Sequence, residues 1–259
     1  MRAKSPKVFA GVLILGLLFC ASSTAHADAL SITSFTFTNF QFTPSAGTAQ
    51  LTFTSAMARA DAGILNGAQN QNISNSFPIA QASAAVTGVT AAATANAATH
   101  SLTADTTAFI GGCTCNAGSF GQGILTGTLV LSGAEGPIDV NISALQTLLW
   151  QVQTDEFGRY AESGFFFDMF VNGTPVFSLQ VEALHPVLGP NQSSMLQAAQ
   201  QISRTITLQG GSTNTISARL SATSLVINEV PEPATVVLLL SGLGALGGVL
   251  KKRRKQVDQ

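Results

Sequence analysis

Few side chains in this sequence have the chemistry of a catalytic or metal-binding site. Cys113 and Cys115 are separated by one residue in a glycine-rich stretch, GGCTCNAGSFGQG. Cysteines at this spacing could close a tight disulfide ring, remain as free or intermolecular thiols, or supply part of the set of about four ligands that zinc needs. His100 and His185 are too distant in sequence to complete such a set by proximity. We therefore expect no metal and no cofactor, and a Cys113–Cys115 disulfide is one open possibility.

Carboxylates form the second group of reactive side chains. Asp155, Glu156, Glu162 and Asp168 all lie in the stretch DEFGRYAESGFFFD. A glycosidase needs two carboxyl groups facing each other about 5 to 9.5 Å apart, and proximity in sequence does not supply that geometry. Asp155 and Glu156 would point to opposite faces of a strand. A solvated loop is the favoured interpretation, with calcium binding and catalysis as the alternatives.

Motifs of known catalytic machinery are absent from the sequence. There is no Gly-x-Ser-x-Gly, no His-Glu-x-x-His, no phosphate-binding loop and no dinucleotide-binding fingerprint. The aromatic side chains of Trp150, Tyr160 and Phe165 to Phe167 could form a platform for stacking sugars, but strand alternation predicts that most of them fill a core. We expect a protein that is not an enzyme, with no catalytic residues.

The segments that must position these residues have the pattern of strands. In LSITSFTFTNF, Thr33, Phe35 and Phe37 share one parity, and Leu30, Ile32, Ser34 and Thr36 share the other. Asn172-Gly173 lies between two apolar runs and predicts a hairpin, and Gly210-Gly211-Ser212 predicts a second one. The alanine- and threonine-rich stretch 79–107 is also expected to be β, whereas SSMLQAAQQIS, 193–203, is expected to be a short helix. The prediction is an all-β chain, folded as one antiparallel β-sandwich or jelly-roll-like domain over 28–228.

Charge is distributed very unevenly along the chain. The stretch 28–228 has no lysine and keeps four arginines against ten acidic residues, which gives a net charge of −6. A stretch so poor in cations has no patch that could neutralise phosphates. This excludes nucleic acid as an expected partner.

The N-terminal 27 residues have the three parts of a secretory signal peptide. A cationic start, MRAKSPK, is followed by the apolar run VFAGVLILGLLFC and by small residues at Ala25 and Ala27. Cleavage is expected after Ala27. Lipid attachment at Cys20 is a weaker alternative, because the large Phe19 precedes it.

The C-terminal segment combines an apolar run with a block of cations. Residues 234–250 carry no charge, and at 1.5 Å per residue they would extend roughly 25 Å as a helix, near the minimum for a membrane span. The cations that follow are expected to stay in the cytoplasm as a stop signal: Lys251, Lys252, Arg253, Arg254 and Lys255. Together with the signal peptide, this places 28–228 outside the cytoplasm.

Just before this run stands a short motif made of Val230, Pro231, Glu232 and Pro233. The order of motif, glycine-containing apolar helix (234–250) and basic tail (251–255) at the end of an exported chain resembles the PEP-CTERM sorting signal of exopolysaccharide-producing Gram-negative and some other bacteria. The resemblance covers 229–255.

The resemblance implies a route and a processing partner. PEP-CTERM proteins are held transiently in the inner membrane by the C-terminal helix and are cleaved near the motif by exosortase, an integral membrane enzyme. They then reach the cell surface or the extracellular space. On this basis we expect a non-enzymatic surface or matrix protein with exopolysaccharide as a candidate partner. A secreted carbohydrate-binding or carbohydrate-active domain, and a single-span protein whose tail is never cut, are the alternatives.

Overall fold

The computed structural model describes residues 28–65, 67–111, 115–154, 160–183 and 192–227. These residues form two six-stranded sheets in which every strand pair is antiparallel, and no helix. The predicted all-β class and sandwich architecture are therefore confirmed. In chain order the strands are β1 Asp28–Pro44, β2 Thr48–Ile64, β3 Gln69–Ser74, β4 Ile79–Val86, β5 Val89–Asn96, β6 Ser101–Gly111, β7 Asn116–Ser132, β8 Pro137–Thr154, β9 Tyr160–Val171, β10 Thr174–Ala183, β11 Ser193–Gln209 and β12 Thr213–Ile227.

The strand order shows how the chain moves between the two sheets. The first sheet has the order β11-β8-β1-β6-β5-β4, and the second has the order β10-β9-β12-β7-β2-β3. The sheets pack face to face, so that β1 lies over β12 and β9, and β4 lies over β2 and β3. We refer to them as sheet A and sheet B in that order.

Alternation along β1 follows the pattern read from the sequence. Phe35 and Phe37 are fully buried between the sheets, whereas Ile32 and Ser34 are half-buried on the outer face of sheet A. Successive side chains of a strand point to opposite faces, so one parity supplies the core and the other meets solvent. The prediction for this strand is confirmed.

One half of the core is built from aromatic rings. Phe37 of sheet A stacks on Phe167 of sheet B with 3.8 Å between ring centroids and 13° between ring planes. Phe35 contacts Phe165 across the same interface at 4.4 Å. Large rings bury much apolar area each, so this half provides a large share of the hydrophobic stabilisation.

The other half of the core is built from alanine and glycine. The buried residues of β4 and β5 are alanines, such as Ala82 and Ala93, with Val89 as the exception. These strands are the alanine-rich stretch predicted to be β, which is confirmed. They face Gly121 and Gly123 of β7, where an added Cβ would lie 2.8 Å and 3.0 Å from backbone oxygens of β5. The small side chains let the two backbones approach closely, which larger residues would prevent.

Hydroxyl groups connect the two sheets inside the sandwich. Ser31 and Ser163 are both buried and hydrogen-bond through their hydroxyls at 2.8 Å, although 132 residues separate them in sequence. Thr33 donates to the backbone oxygen of Thr223 at 2.9 Å, and Thr106 contacts the hydroxyl of Ser224 at 3.0 Å. These bonds satisfy polar groups that would be costly to bury alone.

The Asn172-Gly173 hairpin joins β9 and β10 as predicted. Asn172 and Gly173 both have positive φ, 52° and 77°, as a tight hairpin turn requires. The Asn172 side chain also accepts from the backbone N–H of Thr215 at 2.8 Å and donates to Asn214 at 2.8 Å. The turn is thereby tied to the neighbouring strand β12.

Two local predictions from the sequence are wrong. Residues 193–203, expected to be a helix, are the first part of β11, because pairing along the whole of β8 outweighs the helical preference of alanine and glutamine. Gly210-Gly211-Ser212 is not a hairpin, since β11 belongs to sheet A and β12 to sheet B. The glycines lie instead in the connection that leads from sheet A to sheet B. Gly211 has φ of 69°, and a Cβ atom on Gly210 would lie 2.5 Å from the backbone oxygen of Ala134.

The two terminal predictions lie outside the described residues. The signal peptide 1–27 with its cleavage residues Ala25 and Ala27, and the helix at 234–250, belong to these terminal segments. Within the described part of the chain, no helix has the length and apolarity to cross a membrane.

Candidate functional site

Cys115 is half-buried immediately before β7 and is disulfide-bonded. Cys113, its partner in the sequence-based prediction, lies outside the described residues, so the pairing stays a prediction. Across the described ranges, no group of three or more His, Cys, Asp and Glu side chains is arranged to hold a metal ion.

The carboxylates singled out in the sequence do not form a pair where they are described. Glu162 and Asp168 lie on the outward parity of β9, six residues apart. At about 3.4 Å per residue this separates their Cα atoms by roughly 20 Å, well beyond the separation used by glycosidases. Asp155 and Glu156 lie outside the described residues.

His100 and most of the candidate aromatic residues have structural positions. His100 has φ of 49° in the turn before β6, and its ring meets Phe53 edge-on at 5.3 Å. Trp150, Phe165 and Phe167 are buried in the core, as strand alternation predicted. Tyr160 is half-buried on the outward parity of β9, and it donates a hydrogen bond to the Glu162 carboxylate. His185 lies outside the described residues.

A groove of about 730 Å³ lies on the outer face of sheet B. Its floor is a pair of glycines directly opposite each other in register, Gly63 on β2 and Gly118 on β7. The missing side chains leave a depression in a surface that is otherwise covered by outward-pointing residues. Gln69 of β3 lies at one end of this row and Glu162 of β9 at the other. Four interstrand steps of about 4.8 Å make the groove roughly 19 Å long across the strands.

A charged and aromatic cluster forms one side of the groove. Arg59 and Asp61 are two residues apart on β2 and therefore share its outer face. The Arg59 guanidinium donates from Nε to Asp61 Oδ2 at 2.7 Å. Its Nη2 lies 2.7 Å from the same carboxylate oxygen. The guanidinium also lies 5.7 Å from the centroid of the Phe120 ring. Held by a carboxylate and an aromatic face together, Arg59 has a restricted orientation at the groove.

A second arginine is held in a similar way next to the groove. Arg219 of β12 lies 5.4 Å from the centroid of the Phe166 ring. With the Gln122 amide turned so that its oxygen faces the guanidinium, that oxygen accepts from Arg219 Nε at 2.9 Å. Gln122 lies directly opposite Arg59 in the β2–β7 register. The outer face of sheet B thus has two arginines, each packed on a phenylalanine, on either side of one buried amide.

This arrangement has the chemistry of a binding surface for a polar, largely uncharged ligand. Gln69, Gln71, Thr223 and the Arg59–Asp61 pair present hydrogen-bond donors and acceptors along the groove, and Phe120 presents a partly exposed ring. Sequence reasoning did not select Arg59, Asp61 or Phe120. The available signal was the Arg-x-Asp spacing on a strand in a region with very few charges.

Comparison with known proteins identifies the end of the chain. Residues 229–255 match the family model described as the PEP-CTERM protein-sorting motif. The end of the chain is a PEP-CTERM sorting motif. No curated protein and no solved structure matches the chain significantly. The match coincides with the segment for which the sequence predicted this family.

The PEP-CTERM motif establishes the route of the protein at a coarse level. It supports export, anchoring through the sorting signal, processing by an exosortase membrane enzyme and subsequent release at the surface. The sorting residues Val230 to Pro233 and the basic stop Lys251 to Lys255 lie outside the described residues. The finer assignments to these residues therefore remain predictions.

Proposed function

We propose that this PEP-CTERM protein is a non-enzymatic structural or interaction protein of the cell surface or extracellular matrix. The observation that carries the proposal is the combination of the sorting motif with a sandwich whose outer faces are rich in Ser, Thr, Gln and Asn side chains. Such faces are hydrated and weakly charged, which suits a protein that works in a polysaccharide-rich environment. The separation of Glu162 from Asp168 is consistent with this role.

Dose dependence distinguishes a structural role from an enzymatic one. A strain lacking the protein would receive increasing amounts of the purified mature protein, and matrix formation would be measured together with the protein retained in the matrix. A structural protein restores the matrix in proportion to the amount retained and saturates with it. Restoration by trace amounts that act repeatedly over time would contradict the proposal.

A second candidate function is carbohydrate binding, and the groove on sheet B is the observation that favours it. Its length of roughly 19 Å, its amide and hydroxyl groups and its aromatic ring match the needs of a hydroxyl-rich chain ligand. Under this proposal exopolysaccharide lies across the strands over Gly63 and Gly118. Phe120 contacts the apolar face of a sugar, and Gln71 bonds its hydroxyls.

Binding of purified exopolysaccharide by the mature protein tests this second function. Phe120→Ala and Gln71→Ala are expected to weaken binding about tenfold each, because each removes one contact within the groove. Phe109→Ala is the matched control, since Phe109 is 41% exposed on the outer face of sheet A. An equal loss of binding in the control, or unchanged binding in both groove variants, would contradict the assignment of the groove.

A further inference from the structure

The four sheet edges of the sandwich differ sharply in how they are protected. β3 has six residues and β4 has eight, so both offer little to a further strand. β10 contains Pro175 and a register irregularity between Pro175 and Phe177. Natural proteins use short strands, proline and irregular pairing to prevent edge-to-edge association.

The edge of β4 is in addition covered by side chains from sheet B. Asn72 donates its side-chain N–H to the backbone oxygen of Ser83 at 3.2 Å, and Asn70 donates to that of Ala85 at 3.3 Å. These bonds occupy carbonyl groups that would otherwise be available to another strand. This edge of the sandwich is closed by its own residues.

Among the described residues, none gives β11 a protective feature of these kinds. It has 17 residues paired with β8 without a register shift, and it contains no proline and no lysine. Arg204 is its one charged residue, and no residue of the strand is fully buried. Among the strands that the structure describes, none pairs with its other side.

Hydrogen bonds at the two ends of β11 define which backbone groups point outward. The N–H of Thr154 donates to the oxygen of Gln192 at 2.9 Å, and the N–H of Gly210 donates to the oxygen of Gly136 at 2.7 Å. Both continue the register in which β11 pairs with β8. Because bonded positions alternate in an antiparallel pair, even-numbered residues bond to β8. Odd-numbered residues from Ser193 to Gln209 therefore direct their N–H and C=O groups to the open edge.

We infer that β11 is a self-association edge on which a second copy of this chain adds its own β11 in antiparallel orientation. Full overlap places Ser193 opposite Gln209 and Gln201 opposite Gln201 on the two-fold axis. All odd-numbered residues then meet odd-numbered residues, which satisfies the outward backbone groups with about 18 hydrogen bonds. Sheet A becomes continuous across the two copies.

Charge and apolar contacts both fit this register. Arg204 lies opposite Ala198 of the second copy, so the two cations are separated by roughly 20 Å along the strands. Leu196, which is 43% exposed, lies opposite Ile206 of the second copy on the face toward sheet B. A self-complementary pairing of this kind is the isologous contact that a two-fold dimer needs.

The oligomeric state of the mature protein, recovered after export, tests the inference by sedimentation velocity. The wild-type protein is expected to be dimeric, and Gln201→Lys is expected to raise the dimer dissociation constant about two- to fivefold, because it places like charges opposite each other. Gln201→Glu acts in the same way alone, whereas an equimolar mixture of the two variants restores the dimer through opposite charges. Gln71→Lys on the edge of β3 is the control and is expected to remain dimeric.

A cysteine variant tests the register directly and does not depend on charge. Gln201→Cys is expected to form a disulfide between copies under mild oxidation, since facing Cα atoms in a bonded pair lie about 5.5 Å apart. Gln71→Cys is expected to give no such dimer. A monomeric wild-type protein, or a dimer that Gln201→Lys leaves unchanged, would overturn the inference. Circular dichroism of each variant confirms that the fold is retained.

Discussion

A Cβ atom on Gly121 of β7 would lie 2.8 Å from the backbone oxygen of Ala92 on β5 of the facing sheet. This distance is shorter than real Cβ contacts, and the obstructing atom belongs to the backbone and has little freedom to move. The close approach of the two sheets at their alanine-rich half therefore depends on glycine at this position.

Replacement of Gly121 by alanine is expected to lower the free energy of unfolding by about 1 to 3 kcal/mol, as overpacking of a well-packed core does. The measurement is urea-induced unfolding of the mature protein. Gly118→Ala is the matched control on the same strand, because its nearest contacts would be at 3.5 Å and 3.6 Å, an ordinary distance. If both variants lost the same unfolding free energy, the cause would be the replacement of glycine in β7 and not the close spacing of the two sheets.

Truncation of Phe167 is expected to be more destabilising. Phe167 is fully buried and stacks on Phe37, so Phe167→Ala leaves a cavity and is expected to cost about 3 to 5 kcal/mol of unfolding free energy. Phe166→Ala, on the half-buried outer face of the same strand, is expected to cost clearly less. The measurement is the denaturant midpoint of each variant. A lower midpoint for Phe166→Ala than for Phe167→Ala would contradict this ordering.

Removal of the asparagine side chains that cover β4 is expected to loosen that edge locally. The double variant Asn70→Ala/Asn72→Ala loses two side-chain bonds to exposed carbonyls, at a cost of about 1 kcal/mol each or less. Native-state hydrogen exchange should become faster in β4 and β5 and stay unchanged in β8. Gln71→Ala, on the opposite face of β3, is the control and should leave the exchange of β4 unaltered.

Replacement of Pro231, Glu232 and Pro233 by alanine is expected to block processing without preventing membrane insertion. Insertion depends on the apolar run and the cations, whereas the prolines keep the segment extended for a protease. Mass spectrometry of the C-terminus is expected to find an intact tail through Gln259 in the variant and a shortened chain in the wild type. An intact wild-type tail in a strain with active exosortase would contradict the predicted cleavage.

Deletion of Lys251 to Lys255 is expected to affect a different step. Loss of the cationic stop should weaken retention in the membrane during export, measured by fractionation of membrane and medium. The same fractionation serves as a control for the variant in which Pro231, Glu232 and Pro233 are replaced by alanine. If that variant failed to insert into the membrane, the motif would be part of the anchor.

Local patterns in the sequence were sufficient for much of the architecture. Alternation identified the buried parity of β1, and Asn172-Gly173 identified the hairpin between β9 and β10, because both depend on interactions between near neighbours. The helix predicted at 193–203 and the hairpin predicted at Gly210 to Ser212 were wrong for a common reason. Each depends on which distant strand β11 pairs with, and local preference carries no information about that choice.

The candidate groove and the buried hydroxyls were also beyond local reasoning. Gly63 and Gly118 form one floor only because β2 and β7 pair in a particular register, and Ser31 is satisfied inside the core only by groups on β9.

The sequence by itself determined the route of the protein and its class of fold. Export and sorting signals are linear stretches of apolar, charged and motif residues, and strand alternation is a property of successive side chains. Tertiary structure alone decided the spacing of the two sheets, the groove on sheet B and the place of β11 at the edge of sheet A, because each depends on which strands, distant in the chain, lie next to each other.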